Sequence, residues 1–281
     1  MADDFQTSKI SRRSLLFTGA GASLCLGGYL FGNQADQIRL EKKTLRLPNF
    51  QHHGVRVVLL VDLHANDPLS SSRSQRALRM AIAERPDVIL MAGDYLDYPT
   101  SESLRSLSLA LVPLADSSIP CLATFGNHDY CIRASGKVDR QLPEQIFSIL
   151  TQHRVQLLRN QVQEVQGVPF WGIDDALVGL DRYDLFTSGL PHSVVAILHE
   201  PDAVDRLPKG VSLMLAGHSH GGQVCLPGGI PIHVPAGARR YISGFYPKAS
   251  TPLYVTRGVG SKRHIRVCCA PEVSLLELQS A

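Results

Sequence analysis

Five short apolar runs in this chain each stop at residues that bind metals. Val55–Val61 leads into Asp62-Leu63-His64, Val88–Ala92 into Gly93-Asp94, and Cys121–Phe125 into Gly126-Asn127-His128-Asp129. Val194–Leu198 leads into His199, and Val211–Ala216 into Gly217-His218-Ser219-His220. Continuous runs of this length, rich in Val, Ile and Leu, read as strands buried on both faces. Open α/β sheets gather their ligands in polar loops at the carboxyl ends of such strands. A chain with this device repeated five times is constrained to a layered fold in which several strand ends converge.

Helix-like stretches separate the runs: Ser71–Glu84 with Ala77, Leu78, Ala81 and Ile82 on one face, the Leu-rich Glu102–Leu111, and Leu142–His153 with a Pro near its start. This alternation predicts βαβ units. A second set of strands, less tied to helices, is expected at Leu45–Leu47, Gln161–Val165, Val168–Ile173, Gln223–Leu226, Leu253–Thr256, Ile265–Cys268 and Val273–Leu278. Two stacked sheets with helices outside make the expected fold class α/β, a four-layer αββα sandwich of two mixed sheets. With 281 residues and neither a low-complexity linker nor a repeat after Gln37, a single domain over 37–281 is the economical reading. The long loop Pro227–Pro252 is read as functional, and its Arg239 and Arg240 either grip a phosphate or lipid head group or are simply solvated.

Residues 1–36 differ in kind. Arg12-Arg13 stand directly before Leu15–Phe31, a run with no charge at all. That layout is expected of a twin-arginine-like export signal or of a membrane anchor, since the run is only slightly shorter than the roughly 20 residues that span a bilayer. The chain is accordingly expected to be associated with the inner membrane or exported to the periplasm, with anchoring at the cytoplasmic face as a further option. The net charge of +3, spread without long runs, gives no surface for tracking nucleic acid, so none is expected as partner. Six cysteines without a C-x-x-C pair read mostly as small buried residues.

Singly, each cluster is weak; a lone His is more often structural than a ligand. The ordered set D-x-H, G-D-x-x-D, G-N-H-D, H and G-H-x-H, each at a strand end, resembles the calcineurin-like metallophosphoesterase superfamily from about Val55 to His220. Gly126-Asn127-His128-Asp129-Tyr130 and Gly217-His218-Ser219-His220-Gly221-Gly222-Gln223 look like a bacterial, membrane-linked branch. The resemblance implies that Asp62, His64 and His220 hold one divalent ion, that Asn127, His199 and His218 hold another, and that Asp94 bridges both. It assigns His128 to charge stabilisation or leaving-group protonation, with Asp97 orienting His128 or a ligand. Mixed imidazole and carboxylate ligands suit Mn, Fe or Zn better than Ca or Mg, and Mn²⁺ is the expected cofactor. Asp129 is either catalytic or a turn cap, and Asp174 and Asp175 are read as the start of a turn.

The expected activity is hydrolysis of a phosphodiester, or of the pyrophosphate of a nucleotide-linked lipid, by water activated between two metals. The branch includes UDP-diacylglucosamine pyrophosphatases of lipid A synthesis, and that substrate requires Leu15–Phe31 to be an anchor with the domain left inside. A phosphomonoester or phosphoprotein phosphatase is the alternative within enzymes. A non-catalytic scaffold of the same fold is the alternative outside them, although it should lack ligands, and none is missing.

Overall fold

The computed structural model describes residues 32–131, 139, 141–184 and 192–281; the twin-arginine segment and Leu15–Phe31 lie outside them. Two six-stranded mixed sheets stack face to face. The first has the order β1-β14-β2-β3-β4-β5, with β1 at Arg39–Leu47, β2 at His53–Leu60, β3 at Val88–Ala92, β4 at Cys121–Thr124, β5 at Val155–Leu157 and β14 at Glu272–Ser280. Strands β2 to β5 run parallel, joined by α1 (Pro68–Ala83), α2 (Ser101–Leu111) and α3 (Gln141–Gln152). Asp67 caps α1 by accepting from the N–H groups of Leu69 and Ser70, and Pro68 opens the helix where its missing N–H costs nothing.

The second sheet has the order β12-β13-β9-β8-β7-β6: β6 at Gln161–Val165, β7 at Val168–Gly172, β8 at Val195–Ile197, β9 at Leu213–Ala216, β12 at Gly244–Tyr246 and β13 at Leu253–Val255. Its inner strands β7, β8, β9 and β13 are parallel, and β6 and β12 close the edges antiparallel. A small hairpin, β10 (Cys225–Leu226) and β11 (Ile230–Pro231), stands apart.

The two-residue period of a strand sorts the core into layers. Val57, Leu59 and Val61 of the β2 segment face Phe170, Ile197 and Leu215 of the second sheet, while Val58 and Leu60 face outward onto Ala77, Leu78 and Leu107 of the helices. On the far side, Trp171, Ala196 and Met214 are covered by Ala203 and Val204 of the 3₁₀-helix Pro201–Arg206. The expected four layers are therefore present, the fourth being 3₁₀-helix and loop among the described residues.

Three expectations need correction. Of Gln223–Leu226 only Cys225–Leu226 is strand, and it pairs with β11 outside both six-stranded sheets. Leu45–Leu47 and Val273–Leu278 belong to the first sheet, where β14 lies between β1 and β2. Alternation in sequence shows that a segment is a strand, but not which sheet its backbone joins. Ile265–Cys268 is not a strand. Left-handed backbone at Arg263, His264 and Cys268 breaks the extension, leaving one bridge between Val267 and Val224, and Arg266 turns inward to full burial.

Candidate metal centre

The seven expected ligands all lie beyond the carboxyl ends of parallel strands: Asp62 and His64 after β2, Asp94 after β3, Asn127 after β4, His199 after β8, His218 and His220 after β9. Five of them, Asp62, His64, Asp94, His218 and His220, have φ between 42° and 66°. A side chain in this left-handed region costs about 1 kcal/mol, and such strain persists only where surrounding contacts impose it. Here the backbone N–H groups of Asp62 and His64 donate to the carbonyls of Gly93 and Asp94, and that of Gly217 donates to His199. Glycine is required where these loops meet: a Cβ on Gly93 would sit 2.3 Å from the Gly126 nitrogen, and one on Gly258 would sit 2.4 Å from Asp62 Oδ2.

Two groups of ligand atoms result, Asp62 with His64 and His220, and Asp94 with His199 and His218. Each carboxylate is clamped at one oxygen: Asp62 Oδ2 accepts from the His218 N–H at 3.2 Å, and Asp94 Oδ1 from the His128 N–H at 2.9 Å. The other oxygens face imidazoles. Asp94 Oδ2 lies 3.2 Å from His199 Nε2 and 3.6 Å from His64 Nε2, so it reaches into both groups. Asn127 joins Asp94, His128, His218 and His220 in lining a cleft of about 400 Å³.

Carbonyl and carboxylate partners decide which ring nitrogens are free. His199 Nδ1 is 2.7 Å from Ala92 O and His218 Nε2 is 2.7 Å from Ala236 O, so each donates there and turns its other nitrogen to the site. His64 Nδ1 lies 2.9 Å from Asp97 Oδ1, which leaves Nε2 only 3.1 Å from His220 Nε2. Asp62 Oδ1 and Asn127 Oδ1 are buried with no hydrogen-bond partner among the described residues. Lone pairs aimed at one another in a dry site fit a bound cation, and mixed oxygen and nitrogen donors fit a transition metal.

Without a cation the carboxylates hold protons on their neighbours. Burial opposes a charge on His64, but Asp97, followed by Asp94 and Asp62, outweighs it and pushes the pKa to about 9. Burial likewise opposes a charge on His199, which Asp94 raises well above the ordinary value. Burial, then His64 and Arg266, keeps His220 well below its ordinary value, and burial with His199 lowers His218. Burial favours a neutral Asp94, yet His199 and His128 hold it well below the usual carboxylate range, while burial leaves Asp62 raised.

Asp97 Oδ1 also lies 3.0 Å from His128 Nδ1, so one oxygen faces a candidate ligand and the cleft-lining His128 together. Burial would raise Asp97; His64 and His128 outweigh it and hold the carboxylate far down.

A family model described as calcineurin-like phosphoesterase matches residues 55–222, the span that carries every one of these groups. The chain belongs to the calcineurin-like phosphoesterase family. Phosphodiesterase YaeI of Escherichia coli is 31% identical over 96% of this chain and 99% of its own length. The metallophosphoesterase YkuE of Bacillus subtilis is 28% identical over 97% and 99%. UDP-2,3-diacylglucosamine pyrophosphatase LpxG of Chlamydia trachomatis is 27% identical over 85% and 88%. The chain is thus a metal-dependent phosphoester hydrolase of the calcineurin-like kind, with two candidate metal-binding groups.

Several residues that build the phosphoesterase site carry no motif of their own. Asn66 donates from Nδ2 to Asp97 Oδ2 at 2.7 Å and accepts the Asp97 N–H at 2.9 Å. Arg266 donates to the carbonyls of His220 at 3.0 Å and Arg257 at 2.8 Å, which binds two site loops together. Asp175 and Glu200 form a buried acid pair beside His199, and burial and then Glu200 push Asp175 to about 10; Asp175 also caps the expected turn by accepting from Val178. Asp129 is a brace rather than a cap alone, since its carboxylate accepts from the N–H groups of Gly126, Asp94 and Tyr95. Arg240 pairs with Asp205, and the backbone N–H groups of Arg239 and Arg240 donate to Asp202, so the long loop reaches the cleft through Ile232, His233, Pro235 and Ala236 instead.

Proposed function

We propose that this phosphoesterase hydrolyses a phosphodiester, or the pyrophosphate of a nucleotide-linked lipid of the UDP-diacylglucosamine type. Asp62, His64 and His220 would hold one divalent ion, Asn127, His199 and His218 the other, with Asp94 shared. The observation that carries this reading is Asp94 Oδ2, within 3.6 Å of imidazoles from both groups. Mn²⁺, Fe or Zn suits these mixed imidazole, amide and carboxylate donors. Bound divalent ions supply Lewis acidity and neutralise phosphoryl charge.

The chain's own residues do the rest. His128 lines the cleft without belonging to either metal group. With its Nδ1–H donating to Asp97, the doubly protonated ring of His128 presents an Nε2–H that would donate to a phosphoryl or leaving-group oxygen. Leu177, Val224, Ile232 and Pro235 give the cleft an apolar wall, and Lys262 a cation at its margin. That pairing suits a substrate with a charged phosphate and an aliphatic portion more than a free sugar phosphate. The N-terminal run is proposed as a membrane anchor, which reporter fusions at the chain's end would orient.

Chromatography of products decides the substrate class. The purified chain with Mn²⁺ should release UMP and a lipid monophosphate from UDP-diacylglucosamine faster than it releases phosphate from p-nitrophenyl phosphate. Faster monoester turnover would favour the phosphatase reading.

A further inference from the structure

We infer that the rim of the cleft formed by the β10–β11 hairpin and the Lys262–Ile265 turn is a docking surface for a bilayer containing anionic lipid. The inference goes beyond the hydrolytic reading and stands without it. Leu226, Ile230 and Ile232 of the hairpin region are 51%, 59% and 64% exposed, a cost in water for three aliphatic side chains within seven residues. The hairpin's base is part of the cleft wall through Val224 and Ile232.

The basic turn is tied against that base. Gln223 Nε2 donates to Lys262 O, the Lys262 N–H donates to Gln223 Oε1, and the Cys225 N–H donates to Val267 O. Lys262, Arg263 and Ile265 are exposed, and neither cation forms an ion pair among the described residues. From Arg206 to Pro271 the chain has no Asp or Glu but nine Lys or Arg. An apolar tip flanked by unpaired cations complements the interface of an anionic bilayer, where side chains enter the boundary between head groups and acyl chains.

The chain's path names the same face. The uncharged run Leu15–Phe31 is followed by Gly32 and Asn33. Asn33 Nδ2 donates to His264 O, the Arg266 N–H donates to Asn33 Oδ1, and the Gln34 N–H donates to Arg266 O. Asn33 and Gln34, the described residues nearest that run in sequence, are therefore tied to the turn that carries Lys262, Arg263 and Ile265. A bilayer met there would face the hairpin and the cleft mouth together.

Tryptophan quenching tests this on the full chain, because the single native Trp171 is fully buried and gives a constant background. Ile230→Trp and, as a control at the amino end of β4, Ser118→Trp are mixed with phosphatidylglycerol vesicles whose acyl chains carry bromine. Ile230→Trp should lose most of its added emission and Ser118→Trp none. Adding Arg263→Glu, or using phosphatidylcholine alone, should weaken the contact about fivefold per charge removed. Equal quenching at the two positions, a chain that stays in the supernatant, or equal quenching on uncharged vesicles would overturn the inference. Turnover of soluble bis-p-nitrophenyl phosphate by the same proteins reports on the hydrolytic site separately. Lost contact with intact turnover would refute the surface and leave the reaction standing.

Discussion

Replacing Asp97 by Asn changes one atom and should disturb both halves of the site. Asn66 Nδ2 donates to Asp97 Oδ2 at 2.7 Å, so a new amide must turn its oxygen toward Asn66. Its NH₂ then occupies the place of Oδ1, facing His64 Nδ1 at 2.9 Å and His128 Nδ1 at 3.0 Å. Both imidazoles now meet a donor. Each must give up its Nδ1 proton: His64 then carries its proton on the Nε2 that points at His220, and His128 loses the carboxylate that holds its ring doubly protonated for donation to the substrate. Losing one charge-assisted contact costs about 1.5–3 kcal/mol, or roughly 10–100-fold, first in metal affinity through His64 and again in turnover through His128. Competition with a fluorescent chelator measures the first loss, bis-p-nitrophenyl phosphate turnover at saturating Mn²⁺ the second, and circular dichroism confirms the fold. Affinity and kcat both within about twofold of the parent would refute the coupling of the two histidines through Asp97.

Gly258→Ala places a methyl 2.4 Å from Asp62 Oδ2 at φ +70°, and should cost at least about 1 kcal/mol of stability and lower metal content; thermal melts and elemental analysis check it. Arg266→Met leaves the carbonyls of Arg257 and Gly260 without their buried donor, and should destabilise by about 3–5 kcal/mol in urea denaturation. In the metal-free protein His64 is raised from 6.5 to about 9. Its contribution to stability is therefore complete below about pH 6.5 and lost as pH rises through 9, whereas metal must expel that proton and should bind more weakly as pH falls below 9. Calorimetry in buffers of different ionisation enthalpy should show proton release on Mn²⁺ binding near pH 7.

The five ligand-bearing strand ends were legible because burial on both faces and a metal-binding loop leave separate marks: an unbroken apolar run, then Asp, His or Asn. Asp62, Asp94, His199 and the rest converge as that pattern requires. The helices were legible from their period, within a few residues at α1, whose start depends on the Asp67 cap. Sheet membership was not, since β14 chooses β1 and β2 through backbone pairing that side-chain alternation does not encode. Asn66 and Arg266 were also hidden. Each acts through contacts set by the fold, Asn66 with Asp97 and Arg266 with loops from His220 to Gly260, and a single Asn in a loop, or Arg in an expected strand, looks like any solvated residue. Asp175 was legible only as the start of a turn and Glu200 not at all, since nothing in their separate stretches encodes the buried meeting of the two acids.

The proposed binuclear site would share Asp94 between two ions and set His128 on the substrate. Metal content per folded chain, measured by elemental analysis alongside Mn²⁺-dependent turnover of bis-p-nitrophenyl phosphate, tests it most directly. The account predicts about two metals per chain, fewer and little activity in Asp94→Asn, and two metals with turnover reduced about 10²–10⁴-fold in His128→Ala. Folded protein that takes up no metal, or turnover that survives intact in either variant, would contradict it.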